Sequence, residues 1–119
     1  MPEPQRHKGS CHCGAIRFTV ETALEGVIEC DCSHCWRKGF LLAFVPAEQF
    51  ALESGEDALS EYRFNRHAIE HRFCKICGVQ PFGRGTGPDG AATVAVNVRT
   101  LEDVEPWSVE ATRVNGRSF

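Results

Sequence analysis

Apolar and polar positions alternate over several short stretches of the chain. In residues 15–21, Ile16, Phe18 and Val20 fall on one side and the polar side chains between them on the other. This period of two is typical of a half-buried strand. Residues 40–45 are continuously apolar, which favours a strand buried on both faces. Further short strands are predicted over residues 26–31, 50–53, 59–64, 69–73, 80–84 and 93–98.

The segments between these strands are short and have the composition of turns. Residues 59–64 and 69–73 form a hairpin pair joined through residues 65–67. Residues 83–90 hold four glycines and Pro88, and we interpret them as a hairpin turn because no Lys-Ser/Thr ending or helix pattern follows. Single helical turns are predicted at residues 33–38 and 46–49. The pattern therefore predicts one mainly β domain, a folded-sheet or sandwich architecture over residues 1–119.

Composition and charge narrow the range of functions. The 119 residues carry a net charge of −3, so no basic field favours nucleic acid or an anionic membrane. No apolar run approaches the roughly 20 residues of a membrane span. The first ten residues are polar and lack the apolar core of a secretory signal. We therefore expect a protein of the reducing cytoplasm.

Seven cysteines stand in three tight groups: Cys11/Cys13, Cys30/Cys32/Cys35 and Cys74/Cys77. Disulfides are rare in a reducing compartment, and an odd number leaves one thiol over. Partners within a Cys-x-Cys are also poorly spaced for a bridge. The grouping instead favours metal binding, above all to zinc.

The first and last groups predict a closed metal site. Cys11 and Cys13 are followed by Gly14, and Cys74 and Cys77 by Gly78, so each pair forms a short turn ending in glycine. Together they offer four sulfurs, which is the ligand set of a structural zinc that leaves no open position.

The middle group predicts a different kind of site. Cys30, Cys32 and Cys35 supply three sulfurs within six residues, and three protein ligands plus an open position are typical of catalytic zinc. Zinc with three thiolates has a formal charge of −1, so it favours activation of a thiol over activation of water. His71, or Asp31, could instead complete a closed site. His34 is expected to point outward.

Side chains outside the cysteine groups have less specific roles. Arg37 or Lys38 could pair with a carboxylate of an anionic substrate, and Trp36 could pack on the sheet. We expect His7, His12 and His67 to be exposed strand residues without a role. The phenylalanines are predicted to form the core, and they are Phe40, Phe44, Phe64, Phe73 and Phe82.

Four segments resemble one known family. They are Gly-Ser-Cys-His-Cys-Gly-Ala-Ile-Arg-Phe at 9–18, Cys-x-Cys-Ser-x-Cys at 30–35 with Arg-Lys-Gly at 37–39, His-x-Phe-Cys-x-x-Cys-Gly at 71–78, and Ala-Val-Asn-Val-Arg at 95–99. In this order and spacing they resemble the glutathione-dependent formaldehyde-activating enzymes, a family that includes the centromere protein V type domain.

The resemblance implies a compact zinc-binding β-fold of the Mss4-like type. It implies a structural zinc on Cys11, Cys13, Cys74 and Cys77, and a second, catalytic zinc on the middle group Cys30, Cys32 and Cys35, which could be partly occupied. The reaction that names the family joins formaldehyde to glutathione and is classed with the carbon–sulfur lyases.

We therefore expect an enzyme that acts on a small thiol or its aldehyde adduct, with no nucleic-acid or membrane partner. The alternative is a non-enzymatic zinc-binding module whose metals are structural or mediate binding of a partner.

Overall fold

The computed structural model describes residues 3–30, 33–62, 70–87 and 89–114. Within these residues it has ten strands and one α-helix, α1 (Ser33–Lys38). The strands are β1 (Gln5–Ser10), β2 (Arg17–Thr22), β3 (Val27–Cys30), β4 (Leu42–Pro46), β5 (Phe50–Ser54), β6 (Leu59–Tyr62), β7 (Glu70–Cys74), β8 (Phe82–Thr86), β9 (Ala92–Asn97) and β10 (Ala111–Val114). Short 3₁₀ turns occur at Ala47–Gln49, Glu56–Ala58, Val98–Thr100 and Pro106–Ser108.

The strands form a small and a large sheet. The small sheet has the order β1-β2-β5 and is antiparallel. The large sheet has the order β10-β3-β4-β9-β8-β7-β6, and its pairs are antiparallel except for β10, which runs parallel to β3. The predicted mainly β fold is confirmed.

The main core lies where the two sheets pack face to face. Phe18 and Phe50 from the small sheet meet Phe82 from the large sheet, with ring centroids 5.2 Å apart for Phe18–Phe50 and 4.6 Å apart for Phe50–Phe82. Around them are buried aliphatic residues of both sheets, including Val20, Ala43, Val45, Val94 and Val96. The core forms because alternate residues of each strand point to this face.

The opposite face of the large sheet, called here the outer face, is partly covered by α1. Cys35 of the helix is buried with Phe40 and Leu42, and Cys30 packs against the same cluster. The two sides of the large sheet therefore have different neighbours, the small sheet on one and the middle cysteine group on the other.

The strand predictions are confirmed in type, with boundaries displaced by one or two residues. The predicted 59–64 and 69–73 hairpin pair is observed as β6 and β7, which are antiparallel, while residues 63–69 lie outside the described part of the chain. The predicted glycine loop is shorter than residues 83–90, because β8 continues to Thr86 and a backbone hydrogen bond from Gly87 N–H to Ala91 O closes the turn.

Three expectations about individual side chains were wrong. Phe44 is 53% exposed and not part of the core, because it lies on the outer face beyond the reach of α1. His7 is buried, and its Nδ1 lies 2.9 Å from an Asp103 carboxylate oxygen. His34 turns toward the sheet, where its ring centroid is 4.2 Å from that of His71.

No helix among the described residues has the length and apolar character needed to cross a membrane.

Candidate metal centre

Two similar turns bring four of the cysteines together. In the first, Cys11 N–H donates to Ile16 O and Gly14 N–H donates to Cys11 O. In the second, Cys74 N–H donates to Val79 O and Gly78 N–H donates to Cys74 O. Each turn is thus closed between its first cysteine and the residue five positions later.

Glycine is required in both turns by the backbone conformation. Gly14 has φ +82° and Gly78 has φ +84°, values that side chains with a Cβ rarely adopt. The conformation therefore explains why each turn ends in glycine.

The four sulfurs of Cys11, Cys13, Cys74 and Cys77 all lie within 4.8 Å of one another. The Sγ atoms of Cys11 and Cys13 are 3.6 Å apart, and those of Cys13 and Cys74 are 3.7 Å apart. A zinc–sulfur bond of about 2.3 Å in tetrahedral geometry requires sulfurs roughly 3.8 Å apart. The cluster therefore fits a tetrahedral metal ion, and its four-thiolate donor set is one that zinc accepts.

Backbone amides point at the sulfurs and stabilise negative charge on them. Ile16 N–H donates to Cys11 Sγ at 3.4 Å, and the amides of Ile76 and Cys77 both donate to Cys74 Sγ at 3.4 Å. Such hydrogen bonds favour the thiolate, which is the form that binds metal.

The thiol pKa values of the four cysteines diverge. The backbone hydrogen bond at Val79 lowers the pKa of Cys77 to about 6 against the effect of burial. At Cys13 the backbone hydrogen bond of Ala15 also favours the thiolate, but desolvation and the neighbouring thiols outweigh it and raise the pKa to about 11. The hydrogen bonds and desolvation thus favour the thiolate at Cys77 and the thiol at Cys13 near neutral pH.

Two of the four cysteines lie in a buried apolar cluster, while Cys13 is exposed. Ile16, Ala58, Cys11 and Cys74 form one buried cluster. The chain turns next to this cluster at Gly55, which has φ +96°. A Cβ on Gly55 would lie 2.4 Å from Ala15 O. This close backbone approach fixes the Glu56–Ala58 turn against the first cysteine turn, and Ala58 O also accepts from Lys75 N–H.

The middle cysteine group lies elsewhere, on the outer face of the large sheet. Cys30 is the last residue of β3 and is half-buried, while Cys35 in α1 is buried, and both belong to the cluster around Phe40 and Leu42. Cys32 and Asp31 lie outside the described residues. The part of the group that is described is therefore brought together, separately from the four-sulfur cluster.

A pair of histidines stands on the same face as the middle group. His71 in β7 is buried, and its Nδ1 lies 3.2 Å from the Gln80 amide nitrogen, which donates to it. The backbone carbonyl of Gln80 accepts a hydrogen bond from the Asn97 side-chain amide at 3.0 Å. Because Nδ1 accepts, the neutral His71 ring carries its proton on Nε2.

Burial keeps this pair neutral. Desolvation, followed by the positive charges of His34 and Lys38, lowers the pKa of His71 to about 4. Desolvation and Lys38 also lower the pKa of His34. Both rings are therefore neutral at physiological pH.

Comparison with known proteins agrees with this arrangement. A family model described as glutathione-dependent formaldehyde-activating enzyme matches residues 6–114. The chain belongs to this family.

This family member is similar to the crystal structure of a Rhodobacter sphaeroides protein, with a TM-score of 0.80 and 31% sequence identity. The match covers 90% of the present chain and 99% of the Rhodobacter chain. The resemblance identified from the cysteine motifs is thereby confirmed. The four-cysteine cluster is compatible with a zinc-binding Mss4-like fold.

The sequence motifs predicted the cysteines of this family member but not the residues that support the two histidines. Gln80 was assigned only to a strand, yet it orients His71. Tyr62 also escaped notice, although its ring stacks on His34 with centroids 5.6 Å apart. Neither residue belongs to a motif. Tyr62 is brought to the histidines by the pairing of β6 with β7, whereas Gln80 reaches His71 from the segment that precedes β8.

Proposed function

We propose that this protein is a zinc-dependent enzyme of the carbon–sulfur lyase type. It would act on a small thiol, glutathione-like, or on its aldehyde adduct. Family membership supports the reaction type. The observation that carries the proposal is that Cys30 and Cys35 lie together on the outer face of the large sheet, apart from the closed four-sulfur cluster.

Two sites would divide the roles. Cys11, Cys13, Cys74 and Cys77 would hold a structural zinc, because their four sulfurs leave no position for substrate. Cys30, Cys32 and Cys35 would hold the second zinc and keep one position open. When bound there, zinc would supply a Lewis acid whose three thiolate ligands suit it to a thiol rather than to water.

The neighbouring side chains would orient the substrates and stabilise their negative charge. His71 offers a neutral ring with its proton on Nε2, held in place by Gln80. A neutral donor can stabilise charge developing on a carbonyl oxygen without itself losing a proton. Lys38, at the end of α1, adds positive charge near the same rings and would attract an anionic thiol.

The proposed partners follow from the same features. A small thiol or thiol–aldehyde adduct is the ligand, and neither nucleic acid nor a membrane is required, since the net charge is −3. Thiolate metal ligands favour the reducing cytoplasm as the place of action.

The alternative is a non-enzymatic zinc module whose metals are structural or mediate partner binding. One observation favours it. Within the part of the chain that the structure describes, the ligand atoms of the four-cysteine cluster lie close enough together to hold a metal ion, and no other such group is found. A fourth protein ligand at the middle group, such as Asp31 or His71, would close that site and support this alternative.

The deciding experiment is the Cys32→Ser variant. We expect wild type to bind two zinc ions per chain and the variant to bind one. The variant should keep the circular dichroism spectrum of wild type and lose at least 100-fold in the rate of thiol–aldehyde adduct formation or breakdown. His12→Ala, at an exposed position beside the first cysteine pair, is the control and should retain two ions and full activity. Unchanged activity in Cys32→Ser would contradict the proposal.

A further inference from the structure

A cavity of about 500 Å³ lies on the outer face of the large sheet. Its floor consists of Gly83 and Gly85 of β8 and Ala95 of β9, with the Phe44 ring of β4 at one side. This volume is within the range of roughly 300–1,000 Å³ that small-molecule sites occupy.

Within the part of the chain that the structure describes, the backbone does not require the two glycines of the floor. Neither has a positive φ, and the register between β8 and β9 runs without a shift from Phe82 to Thr86. Glycine within a strand costs about 0.5–1 kcal/mol relative to alanine. Where neither a bulge nor a turn requires it, it marks a place that another group approaches closely.

Strand pairing places the cavity next to the middle cysteine group. Gly83 is paired with Ala95 on one side and with His71 on the other. Ala95 packs against the cluster that contains Cys30 and Cys35. A molecule resting on the floor would therefore have the cysteines and the histidine pair at its edge.

The lining favours an uncharged ligand. The Arg84 guanidinium is directed to the other face of the sheet, over the rings of Phe50 and Phe82 at 5.4 and 5.2 Å. Asp89 accepts a hydrogen bond from Ala91 N–H and would repel a carboxylate. The Thr93 hydroxyl donates to Ala91 O. Among the described lining residues, those left to contact a ligand form a flat floor beside the Phe44 ring.

We propose that this cavity holds the organic group of the carbonyl substrate, and that this group is uncharged, apolar and of aromatic size. The inference rests on the proposed function and deepens it, since formaldehyde has no such group. In the reaction, the thiol sulfur bonds to the carbonyl carbon, the carbon–oxygen π bond breaks, and the thiol proton ends on that oxygen. No oxidant or reductant is needed.

Binding tests the cavity without any turnover. The probe is 4-fluorobenzamide, an uncharged aromatic amide followed by fluorine NMR with the zinc-loaded full chain. We expect saturable binding that Gly85→Val weakens at least tenfold, because the valine side chain would occupy the floor. Ala92→Val is the matched control, since Ala92 is exposed at the start of β9, on the sheet face opposite to the floor. Absence of binding to wild type, or equal binding by wild type and Gly85→Val, would overturn the proposal.

A second variant guards against misfolding. If Gly85→Val fails to give the wild-type circular dichroism spectrum, Ala95→Val narrows the same floor from the neighbouring strand. The same tenfold loss of probe binding is expected there, and undiminished binding would overturn the proposal.

Activity links the cavity to the reaction. With 2-mercaptoethanol as the common thiol, we compare kcat/KM for benzaldehyde and for formaldehyde. Wild type should prefer benzaldehyde, and Gly85→Val should lower the ratio of the two values at least tenfold. A preference for formaldehyde that the variant leaves unaltered would overturn the proposed substrate class.

The two proposals fail in different ways. If wild type binds the probe, Gly85→Val does not, and neither aldehyde reacts, the cavity is a binding site and the enzymatic function is wrong. If formaldehyde reacts, Cys32→Ser abolishes that reaction, and the probe does not bind, the function holds and the cavity proposal is wrong.

Discussion

Gly9 shows how a single position can determine the packing of two strands. It lies opposite Phe18 in the β1–β2 pair, and a Cβ on Gly9 would come within 2.2 Å of the Phe18 ring. The ring cannot move aside readily because it also packs on Phe50, with centroids 5.2 Å apart. The absence of a side chain at Gly9 is therefore what lets β1 lie over the core.

We predict that Gly9→Ala lowers the free energy of unfolding by about 1–3 kcal/mol, the usual effect of overpacking a filled site. Urea denaturation measures it. The exposed neighbour Lys8 is the control, and Lys8→Ala should change the unfolding free energy by less than about 0.5 kcal/mol. A Gly9→Ala effect as small as that of the control would show that β1 can move away from Phe18.

Residue-scale chemistry also explains what the sequence could predict of the metal centre. The Cys-x-Cys-Gly and Cys-x-x-Cys-Gly spacings determine the two turns locally, and the motifs therefore predicted the four ligands. The meeting of the two turns depends on the fold, because Cys13 and Cys74 are 61 residues apart. His7 could not be placed in this way. Its ring is buried, and its partner Asp103 is 96 positions away along the chain.

At the scale of elements, the pairing of strands determines features that the hydrophobic pattern of the sequence does not predict. The alternation in residues 15–21 predicted β2 well, because its inward residues are all apolar. In β1 the buried positions are His7 and Gly9, so the apolar pattern is missing although the strand is present. The apolar run at 40–45 predicted a strand buried on both faces, yet α1 leaves Phe44 exposed.

The packing of α1 on β7 makes stability depend on pH. The pKa of His71 is lowered from 6.5 to about 4 by desolvation and by the nearby His34 and Lys38. When the pH falls below 6.5, the unfolded chain binds a proton at this ring while the folded protein does not. Stability contributed by neutral His71 is therefore complete above pH 6.5, declines as the pH falls, and levels off below about 4.

We predict a loss of about 2–3 kcal/mol over this window, taken from the size of the pKa shift. Chemical denaturation at saturating zinc between pH 7.5 and 4 measures it. In His71→Gln the loss of unfolding free energy between pH 7.5 and 4 should be smaller by this amount, whereas His12→Gln, at an exposed position, should follow wild type. Parallel pH profiles for wild type and His71→Gln would contradict the lowered pKa of His71.

For the whole molecule, the four-sulfur cluster connects segments that are distant in sequence. Cys13 and Cys74 are 61 residues apart along the chain, and their sulfurs are 3.7 Å apart in the fold. One turn follows β1 of the small sheet, and the other follows β7 of the large sheet. A bound ion therefore ties the two sheets together near the edge of the core.

We predict that metal removal lowers the free energy of unfolding by about 4 kcal/mol, the chain-entropy value for closing a loop of roughly this length. For a domain of this size that corresponds to a fall in Tm of roughly 10–20 °C. Differential scanning calorimetry with and without a strong zinc chelator measures the change. Cys74→Ser should melt close to the temperature of chelated wild type and lose most of the chelator response, because it lacks the four-sulfur site and keeps only the middle group. Cys30→Ser, altered in the middle group, should keep most of the chelator response of wild type. If Cys74→Ser responds to chelator as strongly as wild type does, the stabilising ion is not held by the four-sulfur cluster.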